Sequence, residues 1–550
     1  MSTDQALTGG TEPPSPESPR PGPGRRSWLL LVLLLLLHAV FVWLARRPGI
    51  LTGQGDVQYI VLGQSIRDGG YRDAFLAHAP PHAQYPPGYP AVVAVWGAVF
   101  GDSFDSLAAL SLLFSLTSLF LVYLAARRVF DERFALWTLL ALCVNPVLIV
   151  FGGAIASETP YLLASTLALY ALARDRPSGR WLALAIAASI LATLTRSVGV
   201  TLIGAIALHW VLEERWRPAL VLAGASALLV GAWLLWTLVS PASAVGSAYV
   251  AELRAAAAGQ PWRLPIHERI FDHALWYVRA AIPSSLAVPT VSGTWIDNLL
   301  SVALLLVAGI AGMVSLIRVW RPAALYLIAY AALLALWLWS VDRFVAPVVP
   351  LLIVTILSGA RVLARPLHAN GAAIAVAAFA LVFAGSGVVR SFAAVRDHVR
   401  CQRGGDMPDP QCLSVDQASY FDALRWIRAN TPDDAIFLAA KSGALYHYTG
   451  RTSTAWADGV SQQRANFLPW LRQRRARRIL ASGLDVREPS ALAPLLVANC
   501  RGLVSAAEFP PRTFLFELRD RVSDAEADAS CAAAARYRDL HPLRGEQPLR

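Results

Sequence analysis

The chain has 550 residues, 56% of them hydrophobic and only 15% charged, with a formal charge of +11. Ordinary soluble domains carry about 25% charged residues, and here the apolar residues run in long blocks, which excludes a soluble enzyme and indicates a polytopic α-helical membrane protein. The arginines punctuate those blocks instead of forming one stripe, so the positive balance does not point to nucleic acid.

Residues 1–27 are rich in Pro, Ser and Gly, end in Arg25-Arg26, and read as a disordered tail. The run from Trp28 to Leu44 lacks a small-x-small cleavage site and is followed by Arg46-Arg47. It reads as a retained first membrane helix, not a signal peptide. Further apolar segments lie at 104–126, 134–151, 158–173, 181–195, 197–212, 218–239, 298–317, 323–340, 344–360 and 371–389. Together they predict about eleven spans, each of about 20 residues, within a membrane domain over 28–390. The stretch 181–212 is short for two spans, but both its flanks are basic, which requires two crossings.

Alternate connections are short and basic. They hold Arg127, Arg128 and Arg133; Arg174, Arg176 and Arg180; Arg215 and Arg217; Arg318 and Arg321; Arg361 and Arg365. The positive-inside rule places these in the cytoplasm with the N-terminal tail. By parity the outer loops 46–103 and 240–297, the turns at 152–158, Arg196 and Ser340–Phe344, and the tail 391–550 face outward from the plasma (bacterial inner) membrane.

The tail has mixed composition. A helical pattern covers Asp416–Asn430, Thr431-Pro432-Asp433-Asp434 forms a turn, and Ala435–Ala440 and Thr513–Leu518 read as strands. A small extracytoplasmic α/β domain is expected. Cys401, Cys412, Cys500 and Cys531 fall in it, an even set suited to disulfides in an outward domain. Three pairings are possible, of which Cys401–Cys412 with Cys500–Cys531 has the shortest loops. Cys143 lies in a span and reads as a packing residue. The arginines at 472, 474, 475, 477 and 478 read as a solvated helix face, with anionic headgroups as the alternative partner.

Four polar features share the outward side: Asp56 in GQGDVQYI, Glu158 in ASETPY, Arg196 in LTRSVG and Arg343 in DRFVAPVVP. Ionisable residues at a membrane helix are functional candidates. Arginine binds phosphate oxygens through a planar fork of donors. A carboxylate can accept the proton of an attacking hydroxyl. A phosphate leaves as an anion and needs no second carboxylic acid, in contrast to the leaving alcohol of a glycosidase. One base and cationic stabilisation of the leaving phosphate therefore suffice. No cofactor is required, although Asp56 and Glu158 are the two carboxylates that could share a divalent ion.

The order of first helix, Gly-Asp loop, YPPGYP and SLAALSLLFSLTSLFLVYLAARRVFDERFALW resembles the GT-C superfamily of membrane glycosyltransferases. More narrowly it is similar to bacterial relatives of protein O-mannosyltransferases and lipid A aminoarabinose transferases, and the resemblance runs from about residue 28 to 455. It implies a polyprenyl-phosphate sugar donor, a lipid, glycan or protein acceptor hydroxyl, and inversion at the anomeric carbon. It also implies Asp56 as the essential first-loop aspartate, Glu158 as the acidic position of the second outer loop, and Arg196 as a basic position near the donor phosphate. Val57 stands where protein mannosyltransferases often carry a second acid. Tyr85 stands where aminoarabinose transferases carry lysine.

Each residue also has a plainer reading. Asp56 can cap a helix, Glu158 can serve a helix dipole, and Arg196 and Arg343 can be snorkelling anchors, with Asp342 a partner for Arg343. Tyr85, Pro86, Pro87 and Tyr89 of YPPGYP are sugar-stacking candidates or a rigid helix start. The alternative function is a transporter or flippase for a lipid-linked sugar. The lack of repeating halves and the placing of acids at the outer edge favour the enzyme.

Overall fold

The computed structural model describes residues 24–46, 56–173, 179–240, 266–288, 295–337, 340–399, 408, 413–454, 460, 466–485 and 488–541; the side chains of 56 and 295–298 lie outside the described set. Each apolar segment named above contains helix among its described residues. The helices are α1 (Arg25–Ala45), α2 (Asp56–Arg67), α3 (Gly88–Phe100), α4 (Phe104–Val129), α5 (Glu132–Cys143), α6 (Pro146–Gly152), α7 (Glu158–Leu172), α8 (Gly179–Thr195), α9 (Val200–Leu212) and α10 (Trp216–Val239). They continue as α11 (Ile266–Trp276), α12 (Trp295–Val319), α13 (Arg321–Leu336), α14 (Val349–Ala364) and α15 (Gly371–Val399). Among the described residues six helices are long and apolar enough to cross a membrane: α1, α4, α10, α12, α15 and α14 with the turns before it. The pair α5 and α6 makes a seventh candidate, bent by 67°.

The bend has a local cause. The Asn145 side chain accepts from the N–H groups of Val147 and Leu148, and Pro146 occupies the first turn of α6. A cap followed by proline starts a new helix where the apolar pattern alone predicts one span over 134–151. At 181–212 the two predicted helices form, joined by the tight turn Ser197–Gly199. Helices α12 and α14 cross closely: a side chain at Gly312 would land on the carbonyl oxygen of Thr355, and one at Gly359 on that of Ala308. Leu220, Leu228 and Leu238 of α10 stay exposed, as does Ile310 of α12. Such faces suit acyl chains.

The ion pairs sort to the two ends of the bundle. At one end Arg361 Nη1 is 2.8 Å from Asp131 and Arg321 Nη1 is 3.9 Å from Glu213. These join turns that the arginine pattern assigns to one side. At the other end Arg46 Nε is 2.9 Å from Asp105 at the start of α4, and Arg67 pairs with Asp102. Helix α4, with 26 residues, separates these ends by roughly 39 Å.

The predicted boundary at residue 390 falls inside α15, which runs on to Val399. Beyond it comes an α/β domain. Its helices are α16 (Val415–Asn430), α17 (Ser442–Thr449), α18 (Phe467–Gln473), α19 (Glu488–Asn499) and α20 (Asp524–Leu540). Its strands are β1 (Ile436–Ala439), β2 (Thr452–Thr454), β3 (Arg478–Ala481), β4 (Leu503–Phe509) and β5 (Thr513–Leu518). The sheet order is β2-β1-β3-β5-β4, with β2, β1 and β3 parallel and β5 antiparallel to both neighbours. Capping boxes at Ser414 and Ser523 start α16 and α20. Side chains alternate across the sheet. Phe437, Ala439 and Leu480 meet α16 and α17, while Leu438, Ile479 and Ala481 meet α18, α19 and α20.

Two expectations for this domain change. The arginines from Arg472 to Arg478 do not share a helix face. Helix α18 ends at Gln473, Arg475 adopts φ 56°, and Arg478 opens β3, because Ile479–Ala481 is needed as a buried inner strand. Strands β2, β3 and β4 were not predicted. Cys500 and Cys531 are bridged, and Cys143 is free and buried. Cys401 and Cys412 lie outside the described residues.

Candidate active site

Glu158 is the first residue of α7, and its side chain is 2% exposed. Arg196 follows α8, at the head of the turn into α9, and its guanidinium reaches back so that Nη1 lies 2.5 Å from Glu158 Oε1. Arg343, from the short turn Asp342–Phe344 before α14, places Nε 3.0 Å from the same oxygen. Three turns far apart in sequence thus meet at one carboxylate. Arg343 pairs here with Glu158.

The surroundings keep the cluster in place. Arg196 Nη1 also donates to Ser157 Oγ at 3.0 Å, and its guanidinium lies 5.9 Å from the Phe344 ring. The Tyr330 hydroxyl, buried in α13, donates to the Phe344 carbonyl at 2.8 Å. Buried ions are tolerated only when paired and hydrogen-bonded. Two guanidiniums against one carboxylate leave the cluster with a net charge of +1. Arg343 keeps 29% exposure against 12% for Arg196.

Asp56 begins α2, and its side chain is outside the described set. The placing of its helix is clear. Tyr59, one turn on and on the same helix face, donates from its hydroxyl to Ser157 Oγ at 3.0 Å. Ser157 therefore accepts from both Tyr59 and Arg196, which puts the first turn of α2 beside the arginine cluster.

YPPGYP leads into α3. Gly88 is needed because any side chain there would meet the Leu194 carbonyl, just before Arg196. Of the stacking candidates, Pro86 and Tyr89 are buried. Tyr89 is edge-on to Tyr59 at 4.8 Å, so its ring packs the loop and is closed to a ligand. Tyr85 and Pro87 keep partial exposure, and the Tyr85 ring lies 5.2 Å from that of Tyr59.

The sequence reading thus named Glu158, Arg196 and Arg343, which the fold brings together. It missed Tyr59, Ser157 and Tyr330, and also Asp73 and His82 in the first loop. Ser157 adjoins Glu158 and Tyr59 lies one helical turn from Asp56, and those two spacings were the available signal. Tyr330 carries no local signal, since it sits within an apolar span. Chemically, the cluster can bind an anionic oxygen group at the end of the bundle, with a carboxylate setting the arginine geometry.

Residues 84–244 match the family of dolichyl-phosphate-mannose-protein mannosyltransferases. No curated protein matches the chain. Among solved structures, ArnT from Cupriavidus metallidurans in the apo state is 17% identical with a TM-score of 0.53, covering 89% of this chain and 97% of that one. ArnT bound to undecaprenyl phosphate is 16% identical with a TM-score of 0.50, covering 90% and 98%. The archaeal oligosaccharyltransferase AglB from Archaeoglobus fulgidus, in complex with an inhibitory peptide and a dolichol-phosphate, is 15% identical with a TM-score of 0.54, covering 91% and 75%. At these identities the likeness is one of fold. The chain shares the fold of ArnT and of the archaeal oligosaccharyltransferase.

Proposed function

We propose that the chain is an inverting glycosyltransferase that moves a sugar from a polyprenyl-phosphate carrier to an acceptor hydroxyl on the outer face of the plasma membrane. The observation that carries this reading is the convergence of Arg196 and Arg343 on Glu158, beside the first turn of α2. The lipid phosphates named in the ArnT and AglB structures support the donor class. The arginine pattern supports the outward face. A transferase there needs a lipid-borne sugar, because nucleotide sugars are made in the cytoplasm and do not cross a bilayer unaided.

In this reading Asp56 accepts the proton of the acceptor hydroxyl as its oxygen attacks the anomeric carbon. The bond from that carbon to the phosphate oxygen breaks, and the electron pair stays on the polyprenyl phosphate. Arg196 and Arg343 stabilise the departing charge. Glu158 acts through the arginines by holding their geometry and does not touch the acceptor. The proposed reaction draws on no metal, since Glu158 is already engaged by two cations that repel a third. The acceptor is a lipid, glycan or protein hydroxyl.

The test is transfer from polyprenyl-phosphate sugars by the purified chain. Asp56→Asn is expected to lower kcat by about 100-fold or more while lipid-phosphate binding persists. Undiminished transfer by this variant removes Asp56 from the mechanism. Product formed in detergent, without two compartments, separates an enzyme from a transporter.

A further inference from the structure

Asp73 and His82 are fully buried in the first loop and take no part in the proposed chemistry. The loop between α2 and α3 is a hairpin. The Asp73 N–H donates to the Pro80 carbonyl at 2.9 Å and the His82 N–H to that of Tyr71 at 2.8 Å. At its tip His78 and Ala79 adopt φ 70° and 39°, a left-handed turn without glycine. Both flanks are fastened. The Ser453 N–H donates to the Phe75 carbonyl at 3.0 Å and the Ala77 N–H to the Ser453 carbonyl at 2.8 Å, adding the hairpin to edge strand β2. Trp236 Nε1, near the end of α10, donates to the His82 carbonyl at 2.9 Å.

Inside the hairpin the imidazole has one proton arrangement. His82 Nε2 is 2.8 Å from the Tyr85 backbone nitrogen, which can only donate, so Nε2 accepts. Nδ1 therefore carries the proton and donates to Asp73 Oδ1 at 2.5 Å. The Tyr71 hydroxyl donates to the Tyr85 carbonyl at 2.7 Å. Both backbone polar groups of Tyr85 are thus held by side chains. From Tyr85 the contacts run through the Tyr59 ring and hydroxyl to Ser157 Oγ, where Arg196 also donates.

We infer that His82, oriented by Asp73, is a positioning residue for the arginine cluster. It holds Tyr85 against Tyr59 and so fixes the hydroxyl of Ser157 to which Arg196 is tied. The inference rests on the reading of Arg196 and Arg343 as the lipid-phosphate site. A catalytic role does not fit, because both ring nitrogens are engaged within the loop.

The test uses the full chain in detergent, with amide hydrogen exchange at Tyr85 and equilibrium binding of undecaprenyl phosphate as readouts. His82→Leu is expected to speed exchange at Tyr85 and to weaken binding about 10-fold, the loss of one net hydrogen bond and its buried partner. His82→Gln keeps an acceptor for the Tyr85 N–H and is expected to recover most of both, which also covers the case in which His82→Leu does not fold. Asp73→Asn keeps an acceptor for His82 and should stay within about 3-fold of wild type. Unchanged exchange at Tyr85 in His82→Leu overturns the pin. Fast exchange with wild-type binding overturns its link to the arginines. Damage by Asp73→Asn as large as that of His82→Leu overturns positioning in favour of a role for the charge. A wild-type chain that does not bind undecaprenyl phosphate overturns the reading of the arginines and the link built on it, while the exchange arm still decides the pin.

Discussion

Arg196 Nη1 lies 2.5 Å from Glu158 Oε1, tying the turn after α8 to the first residue of α7. Arg343 Nε, 3.0 Å from the same oxygen, adds the turn before α14. The carboxylate is the hub, and removing it strands two buried or half-buried cations that then repel each other. Glu158→Gln is expected to lower the melting temperature of the purified chain. Donor kcat/KM should fall about 10- to 100-fold, since a hydrogen bond to a charged group is worth about 1.5–3 kcal/mol. A thermal melt and initial rates over a range of donor concentration check both. Wild-type rates in a folded Glu158→Gln would show that the arginines need no hub.

The separation of ion pairs to two ends gives sidedness a direct test. Ser103 caps α4 near Asp105, and Arg133 follows Asp131 at the far end. With Cys401 and Cys412 replaced by Ser, Ser103→Cys is expected to react with a membrane-impermeant maleimide on intact cells. Arg133→Cys should react only after permeabilisation. The reverse pattern would invert the orientation given by the positive-inside rule.

Glu488 is buried in the C-terminal domain, and burial pushes its pKa up to about 7, even though the Ser482 N–H and hydroxyl and the Tyr537 hydroxyl donate to it. Its folded pKa stands above the unfolded value of 4.5. Between these values the folded state binds the extra proton, so stability falls as pH rises from about 4.5 to about 7 and is level beyond. The slope is therefore opposite to that of a salt-bridged carboxylate. Amide protection of β3 and α19 should decline from pH 5 to pH 8, and Glu488→Gln should flatten that decline. Identical pH profiles would remove Glu488 as the cause.

The Cys500–Cys531 bridge fastens the turn before β4 to α20 across a separation of 31 residues. Closing such a loop in the unfolded chain stabilises by roughly 2–4 kcal/mol. Cys500→Ser or reduction is expected to cost the C-terminal domain about that much, read as a shifted denaturant midpoint of its exchange protection. An unchanged midpoint would leave the bridge without a stabilising role.

What the sequence determined by itself is what local physics controls. Length and hydropathy mark α1, α4, the α5–α6 pair as one segment, α7 to α10 and α12 to α15, but not α2, α3 or α11. Arginine spacing sorts their connections into two groups, and the ion pairs Arg361–Asp131 and Glu158–Arg196 keep those groups apart. Helical periodicity and turn residues located α16 to within a residue, and β5 with the bounds Thr513–Leu518. Only the tertiary structure decided which polar groups meet. Glu158, foreseen as the acidic position of the second outer loop, is the buried partner of two arginines, because helix packing brings three turns to one point and no spacing in the chain encodes that. The same holds for β2, β3 and β4, whose short runs become strands only through pairing with β1 and β5. It holds for Asp73 and His82 as well, whose roles come from a hairpin closed by β2 and α10. Covalent neighbours and periodicity are legible along a chain; the partner of a buried charge is set by packing in three dimensions.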